Sequence, residues 1–209
     1  AGIGFITPIF IILNGVSVGL GSGATSSISR FVGAKNHKKA SQSAAHSLLI
    51  FLIASVVLTI VLLILQEPLL KLYGASGESL AQGIKYGTPL FLGLFAFIFA
   101  NGASGILRGE GDMKRAMYAV VVSVILNAIL DPICIYILGW GSAGAAIATI
   151  LSSICSAIVI LYWILVKKDT YVDVNLGEFK FDSSIAKDIL KVGIPASMDM
   201  LVMAIAMSL

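Results

Sequence analysis

Residues 117–138 read MYAVVVSVILNAILDPICIYIL, an apolar run long enough to cross a bilayer, and this is one of six such runs in the chain. A helix needs about 20 apolar residues to span the hydrocarbon core. The runs cover about 3–32, 44–66, 87–107, 116–138 and 143–166, and a sixth opens near 189. Inside lipid every backbone N–H and C=O must find its partner within the protein, which long runs achieve as helices. A barrel would instead show alternating strands of about ten residues. The expected fold class is therefore an all-α polytopic membrane protein, placed in a cell membrane. Charged residues make up only 12% of the chain, against about 25% in a soluble domain. The first run lacks a basic leading region and a cleavage site, so it does not read as a signal peptide. The chain opens and stops inside apolar runs, and on that basis is expected to be a fragment.

The connectors alternate in charge. RFVGAKNHKKA at 30–40 carries Arg30, Lys35, Lys38 and Lys39 with no acid, and RGEGDMKRA at 108–116 carries Arg108, Lys114 and Arg115. The 167–191 connector is long and polar, with five lysines and five acids. Between these lie 66–87, with two lysines and two glutamates, and the uncharged LGWGSAG at 138–144. Lysine and arginine near helix ends mark the cytoplasmic side. The first three connectors are thus expected inside and the other two outside. Trp140 and Tyr136 then fall at the outer interface, and Trp163 and Tyr162 at the inner one, as belt residues. In the last connector, Asp182-Ser183-Ser184 offers caps for a helix beginning near Ile185. A surface helix at 183–191 and a solvated linker are equally compatible with that stretch. The net charge of +3 sits in short loops, which argues against nucleic acid as a partner.

Small residues recur within the runs, as in GVSVGLGSGATSS (15–27), ANGASG (100–105) and GSAGAAIAT (141–149). In lipid they let helix backbones approach closely. The first of these stretches has no lysine before its Ser/Thr and no flanking strand, so it is not a phosphate loop. Cys134 and Cys155 lie in apolar runs without metal-ligand spacing and read as buried thiols. No nucleophile–base–orienter set is visible, so no enzyme is expected.

The costly residue is Asp131, inside a run that also holds Asn127 and Pro132. Carboxylates at bilayer depth face a bundle interior or an aqueous path. Asn127 lies four residues earlier and shares a helix face with Asp131. Pro132 removes one N–H, which frees a carbonyl near Ala128 and bends the helix. Carboxylate, amide oxygen and carbonyl are hard ligands suited to Na⁺, or to a carboxyl that exchanges a proton. Burial raises a carboxyl pKa and a bound cation lowers it, so a balanced site can trade ion for proton. A structural Asp bonded to a neighbouring hydroxyl is the plain alternative.

Five stretches carry a family resemblance: ISRFVGAKNHKKA, EPLLKLYGA, ILRGEGDMKRAM, LNAILDPICIYILGWGSAGAAIAT and VGIPAS. With them the chain resembles the N-terminal half of a multidrug and toxic compound extrusion (MATE) transporter, in the DNA-damage-inducible-F-like branch. The resemblance implies twelve helices in two six-helix lobes around a cavity that opens alternately to either side. It implies export of organic, cationic or amphipathic small molecules by antiport with H⁺ or Na⁺, membrane lipids as surroundings, and a monomer at full length. No cofactor is implied beyond Na⁺ as a coupling ion. On this reading residues 1–166 hold helices two to six of the first bundle, with the first helix expected before Ala1. Residues 167–188 form the cytoplasmic inter-bundle linker, and 189–209 begin helix seven. The family's cation site maps onto Asn127, Asp131 and Thr149, with a further Asp expected in the first helix. Some members carry a glutamate eight residues after the helix-seven proline, where this chain has Met203. It has Asp199 four residues after Pro195, a second candidate for coupling. A lipid or polysaccharide-precursor flippase of the same superfamily is the alternative transporter, and a membrane scaffold the alternative of another class.

Other residues carry plainer expectations. Arg108, Glu110, Asp112 and Arg115 are expected to pair and hold helix ends. His37 is expected to be solvated and His46 to begin a helix. Phe91, Phe95 and Phe99 recur every four residues, lining a pocket or packing. The orientation has a direct test in a cysteine-free background. Single cysteines at Asn36 and Asp112 stay unlabelled by an impermeant thiol reagent in intact cells, and one at Ser76 reacts. Outside labelling at position 36 overturns the assignment.

Overall fold

A computed structural model describes residues 7–72, 74, 76–167, 170–174 and 179–208. Six α-helices account for the six apolar runs: α1 Thr7–Gly33, α2 His37–Leu72, α3 Gly77–Glu110, α4 Met113–Pro132, α5 Gly141–Leu161 and α6 Ser183–Ser208. No strand occurs among the described residues. Stretches within α2 and α3, and α4 and α5 with their π-helical continuations, are long and apolar enough to cross a membrane. The segments Ile133–Ile137 and Tyr162–Lys167 extend α4 and α5 as π-helix. The first begins directly after Pro132, where the missing N–H interrupts the regular ladder. Its Ile133 N–H bonds Leu130 O.

Two boundaries differ from the sequence reading. The third run was placed at 87–107, but α3 starts ten residues earlier, at Gly77, so most of the 66–87 connector is helical. Hydropathy locates the part of a helix that lipid covers, and helices that project into water continue beyond it. His46 was expected to begin a helix, yet it lies well inside α2, which starts at His37. The cytoplasmic turns carry the caps that polar residues there supply. Asn36 Oδ1 accepts from Lys39 N–H at 3.1 Å. Asp112 Oδ1 accepts from Arg115 N–H at 3.0 Å, after Gly111 has closed α3 at φ 92°.

α1 packs against α6, α3 and α2, while α3 packs also against α2, α5 and α4. In GLGSG the glycines are two apart, about 200° around a helix. Gly19 and Gly23 therefore face α6 and Gly21 faces α3. A Cβ on Gly19 would lie 2.6 Å from the Ser197 Cα, and one on Gly23 would lie 2.3 Å from the Ile189 carbonyl oxygen. On the other side a Cβ on Gly105 would lie 2.5 Å from the Gly21 oxygen. The Thr25 hydroxyl donates to Gly105 O at 2.8 Å, sewing α1 to α3. At the cytoplasmic end Arg30 of α1 pairs with Asp188 of α6.

The segment before α6 is neither a free linker nor a surface helix. Val172 and Val174 are buried with the main core cluster, and Phe179 packs against it. Three backbone N–H groups bond into the bundle: Val172 to Glu110 Oε2 at 3.1 Å, Asp173 to Ser41 Oγ at 3.0 Å, and Asp182 to His46 Nε2 at 2.7 Å. Val172 and Val174 bury themselves while Phe181 stays exposed, and the described stretches 170–174 and 179–182 form a strap held to the bundle by these bonds. Residues 183–191, for which a surface helix and a solvated linker were equally compatible, are the first turns of α6.

The α1–α3 contact tests the packing. Gly105→Ala puts a methyl where the α1 backbone lies and costs about 1–3 kcal/mol of overpacking, read as a lower unfolding temperature in detergent. Gly33→Ala, with nothing within 4 Å, leaves that temperature unchanged or slightly higher. Equal unfolding temperatures for Gly105→Ala and the parent would refute the tight seam.

Candidate functional site

The turn between α4 and α5 determines which side chains meet. Gly139 at φ 68° and Gly141 at φ 55° reverse the chain in a conformation that favours glycine. Three residues on, a Cβ at Gly144 would lie 2.6 Å from the Cys134 carbonyl oxygen. α5 can thus lie directly on the end of α4. That approach brings Asn127 and Thr149 together, with Asn127 Nδ2 donating to Thr149 Oγ1 at 3.3 Å. The Thr149 hydroxyl donates in turn to Ala145 O at 3.0 Å. The amide oxygen of Asn127 is left free of this bond.

Asp131 lies one turn outward of Asn127 on the same helix, half-buried. Its Oδ1 is buried and has no hydrogen-bond partner among the described residues. An unsatisfied buried acceptor costs about 1–3 kcal/mol, and more when charged, so such an atom is an exception that calls for a reason. A proton on the carboxyl would remove its charge, and a cation beside it would supply a partner. Among the described residues no three His, Cys, Asp or Glu side chains converge. Asp199 stands apart, exposed on α6, which packs against α1 and α2. Met203 is exposed on the same helix.

A cavity with five polar side chains in an otherwise apolar lining escaped the sequence reading. About 200 Å³ in volume, it is lined by Asn101 and Ser104 of α3, Ser123 of α4 and Ser153 and Ser156 of α5, among others. Ser123 and Ser153 lie four residues from Asn127 and Thr149, one turn further in. The signal was present, since Ser123, Asn127 and Asp131 repeat every fourth residue, but serine is common in membrane helices for packing alone.

The remaining candidates have structural roles. Asp112 and Arg115 form an ion pair at 3.4 Å, as expected, whereas Glu110 turns to the strap. Arg108 lies against α1, its Nη2 3.2 Å from where a Cβ on Gly21 would be. Phe91 is buried with Leu13, Leu94 and Ile98. Phe95 and Phe99 stack at 6.3 Å and line an apolar cavity of about 660 Å³ between α2, α3 and α5. Cys134 is buried, and Cys155 is half-buried. His37 is exposed and meets the Tyr171 ring at 5.0 Å, and Trp140 is exposed at the outer turn.

The architecture matches solved transporters closely. Over 99% of the chain it superposes on an inward-facing conformation of a multidrug resistance MATE family transporter of the MOP superfamily, with a TM-score of 0.91 and 45% identity, covering 47% of that chain. Against an outward-facing conformation the TM-score is 0.93 at the same identity, covering 46% of that chain. The multidrug export protein MepA of Staphylococcus aureus (strain NCTC 8325 / PS 47) is 31% identical over 189 residues, 90% of this chain and 42% of MepA. The chain thus spans just under half the length of the proteins it matches, and its bundle corresponds to a single lobe of the two-lobe, twelve-helix fold. The MatE family description matches residues 1–133, and with the fold, the glycine seams and the α4–α5 turn all in place, this chain belongs to the MatE family.

Proposed function

We propose that the chain forms part of a secondary transporter that exports drugs or organic metabolites by antiport with H⁺ or Na⁺ through alternating access. The observation that carries the reading is the buried, unpartnered Asp131 Oδ1, one turn from the Asn127–Thr149 pair in a membrane helix hairpin. In this reading Asp131 is the coupling carboxylate, and Asn127 and Thr149 supply neutral oxygens. A proton or Na⁺ satisfies the orphan oxygen, and its loss restores the penalty. The occupied and empty sites therefore differ in energy, which is what a coupled transporter requires of its ion. Membership of a family with inward- and outward-facing structures supports the two-sided mechanism.

Residues 1–166 then belong to the first bundle, 167–188 to the cytoplasmic linker and 189–209 to the second bundle. The substrates are organic molecules of cationic or amphipathic character. Within the family, the motifs at 30–40 and 108–116 support a place in the DNA-damage-inducible-F-like branch. Asp199, exposed beyond the Pro195 turn of α6, is assigned to the face the second bundle would cover.

In proteoliposomes of the full-length protein, under an imposed ΔpH or Na⁺ gradient, Asp131→Asn abolishes coupled efflux without loss of expression. Asn127→Ala and Thr149→Ala weaken it less, since each removes one neutral ligand. Normal pumping by Asp131→Asn against a substrate gradient would reduce the carboxylate to a structural role. Asp199→Asn cuts efflux while leaving the protein inserted and folded, and efflux at the parent rate would remove Asp199 from the coupling network.

A further inference from the structure

His46 is the most deeply buried titratable side chain on the cytoplasmic side, 1% exposed, and the coupling chemistry does not use it. Both of its ring nitrogens are committed. Nδ1 lies 2.7 Å from the Gln42 carbonyl oxygen, which can only accept, so Nδ1 carries the proton. Nε2 lies 2.7 Å from the Asp182 backbone nitrogen, whose N–H can only donate, so Nε2 is bare. The geometry therefore requires the neutral ring in one tautomer. Phe179 and Phe181 flank it, with ring centroids at 4.8 and 5.5 Å.

The acceptor holds a sensitive point. Asp182 is the residue before α6, and its Oδ1 accepts from Ser184 N–H at 2.8 Å to cap the first turn. One imidazole thus ties the start of α6 to α2. We propose that His46 is a positioning residue for α6, fixing its first turn while neutral and releasing it when protonated. An imidazolium has an N–H on both nitrogens, so Nε2–H would face the Asp182 N–H and the bond would be lost. The release runs in one direction only: acid loosens the strap and base restores it. This goes beyond the transport reading, because it concerns how α6 is held whichever ion is coupled.

The other charged groups nearby leave the assignment to His46 intact. On the strap, Asp182 carries the charge that acts on the ring. Hydrogen bonds from the Ser184 hydroxyl and backbone N–H hold its carboxyl below the usual range, so it stays ionised where histidine titrates. From α3, Glu110, its carboxyl pKa pushed up by burial, accepts from Val172 at the other end of the strap, outside the 179–184 segment. From α1, Ser27 meets Ser43 of α2 at 2.7 Å, a neutral contact one turn before the ring. On α6, Asp188 is engaged with Arg30.

The test is hydrogen–deuterium exchange in the full-length protein, following the 179–184 segment at about pH 8 and about pH 5, the span over which histidine changes charge. Rates are corrected for the intrinsic pH dependence of exchange. In the parent, exchange at the lower pH rises about five- to thirtyfold, the factor for one hydrogen bond lost. His46→Gln offers an acceptor oxygen that does not titrate here, and it keeps the segment protected at both values. His46→Phe keeps a ring between the phenylalanines but has no acceptor, and it exchanges fast at both. Equal protection of the parent at the two values, or the same acid rise in His46→Gln, overturns the proposal. The second outcome would place the response on another group, and neither outcome bears on Asp131.

Discussion

Backbone contact along α1 is the constraint on which the rest of the bundle depends. Between helices in lipid there is little hydrophobic gain, because a lipid tail is as apolar as a leucine side chain. Association then rests on close packing, and α1 achieves it on two faces at once. Gly19 and Gly23 admit the α6 backbone on one side, and Gly21 admits Gly105 of α3 on the other. The Thr25–Gly105 hydrogen bond adds a polar stitch where water is absent. Without these contacts α6 and α3 would share no scaffold, and the depth relation among the polar residues of α3, α4 and α5 would loosen.

The proposed ion site uses the same device at a smaller scale. Gly144 lets α5 rest on the backbone of Cys134, and only then does Thr149 reach Asn127. Asp131 sits at the edge of that contact with one oxygen buried and unpaired. Strain of this kind persists only where the surrounding packing over-determines it. α3 is mostly buried and α4 mostly exposed, so the hairpin of α4 and α5 lies at the side of a rigid core, with its polar face turned inward toward the Asn101–Ser104 cavity.

At the end of the bundle that holds the strap, polar groups do the work that small residues do between the helices. Glu110, Ser41 and His46 each accept one backbone N–H of the strap, and Val172 and Val174 anchor it by burial. Asp182 then starts α6, and Arg30 meets that helix six residues later at Asp188. The strap converts a chain connection into a positional one, since α6 leaves the bundle at a point fixed by three acceptors rather than by linker length.

Much of this was legible in the residues themselves. Six apolar runs of spanning length fix the helical class, because lipid leaves the backbone no other way to pair, and the lysine and arginine pattern suggests an orientation. Asn127 and Asp131 share a face by spacing alone, and the family resemblance added Thr149 to them. Helix ends were less legible where helices leave the membrane, as at Gly77, since hydropathy reports lipid contact and not helicity. The polar strap looked solvated because two buried valines among ten charges leave a faint signal. Which faces of α1 meet which helices, whether Asn127 touches Thr149, and that His46 accepts from Asp182 were decided only by the tertiary structure. Those contacts join residues 22, 84 and 136 positions apart, and local pattern carries no information about which distant backbone will fill a given gap.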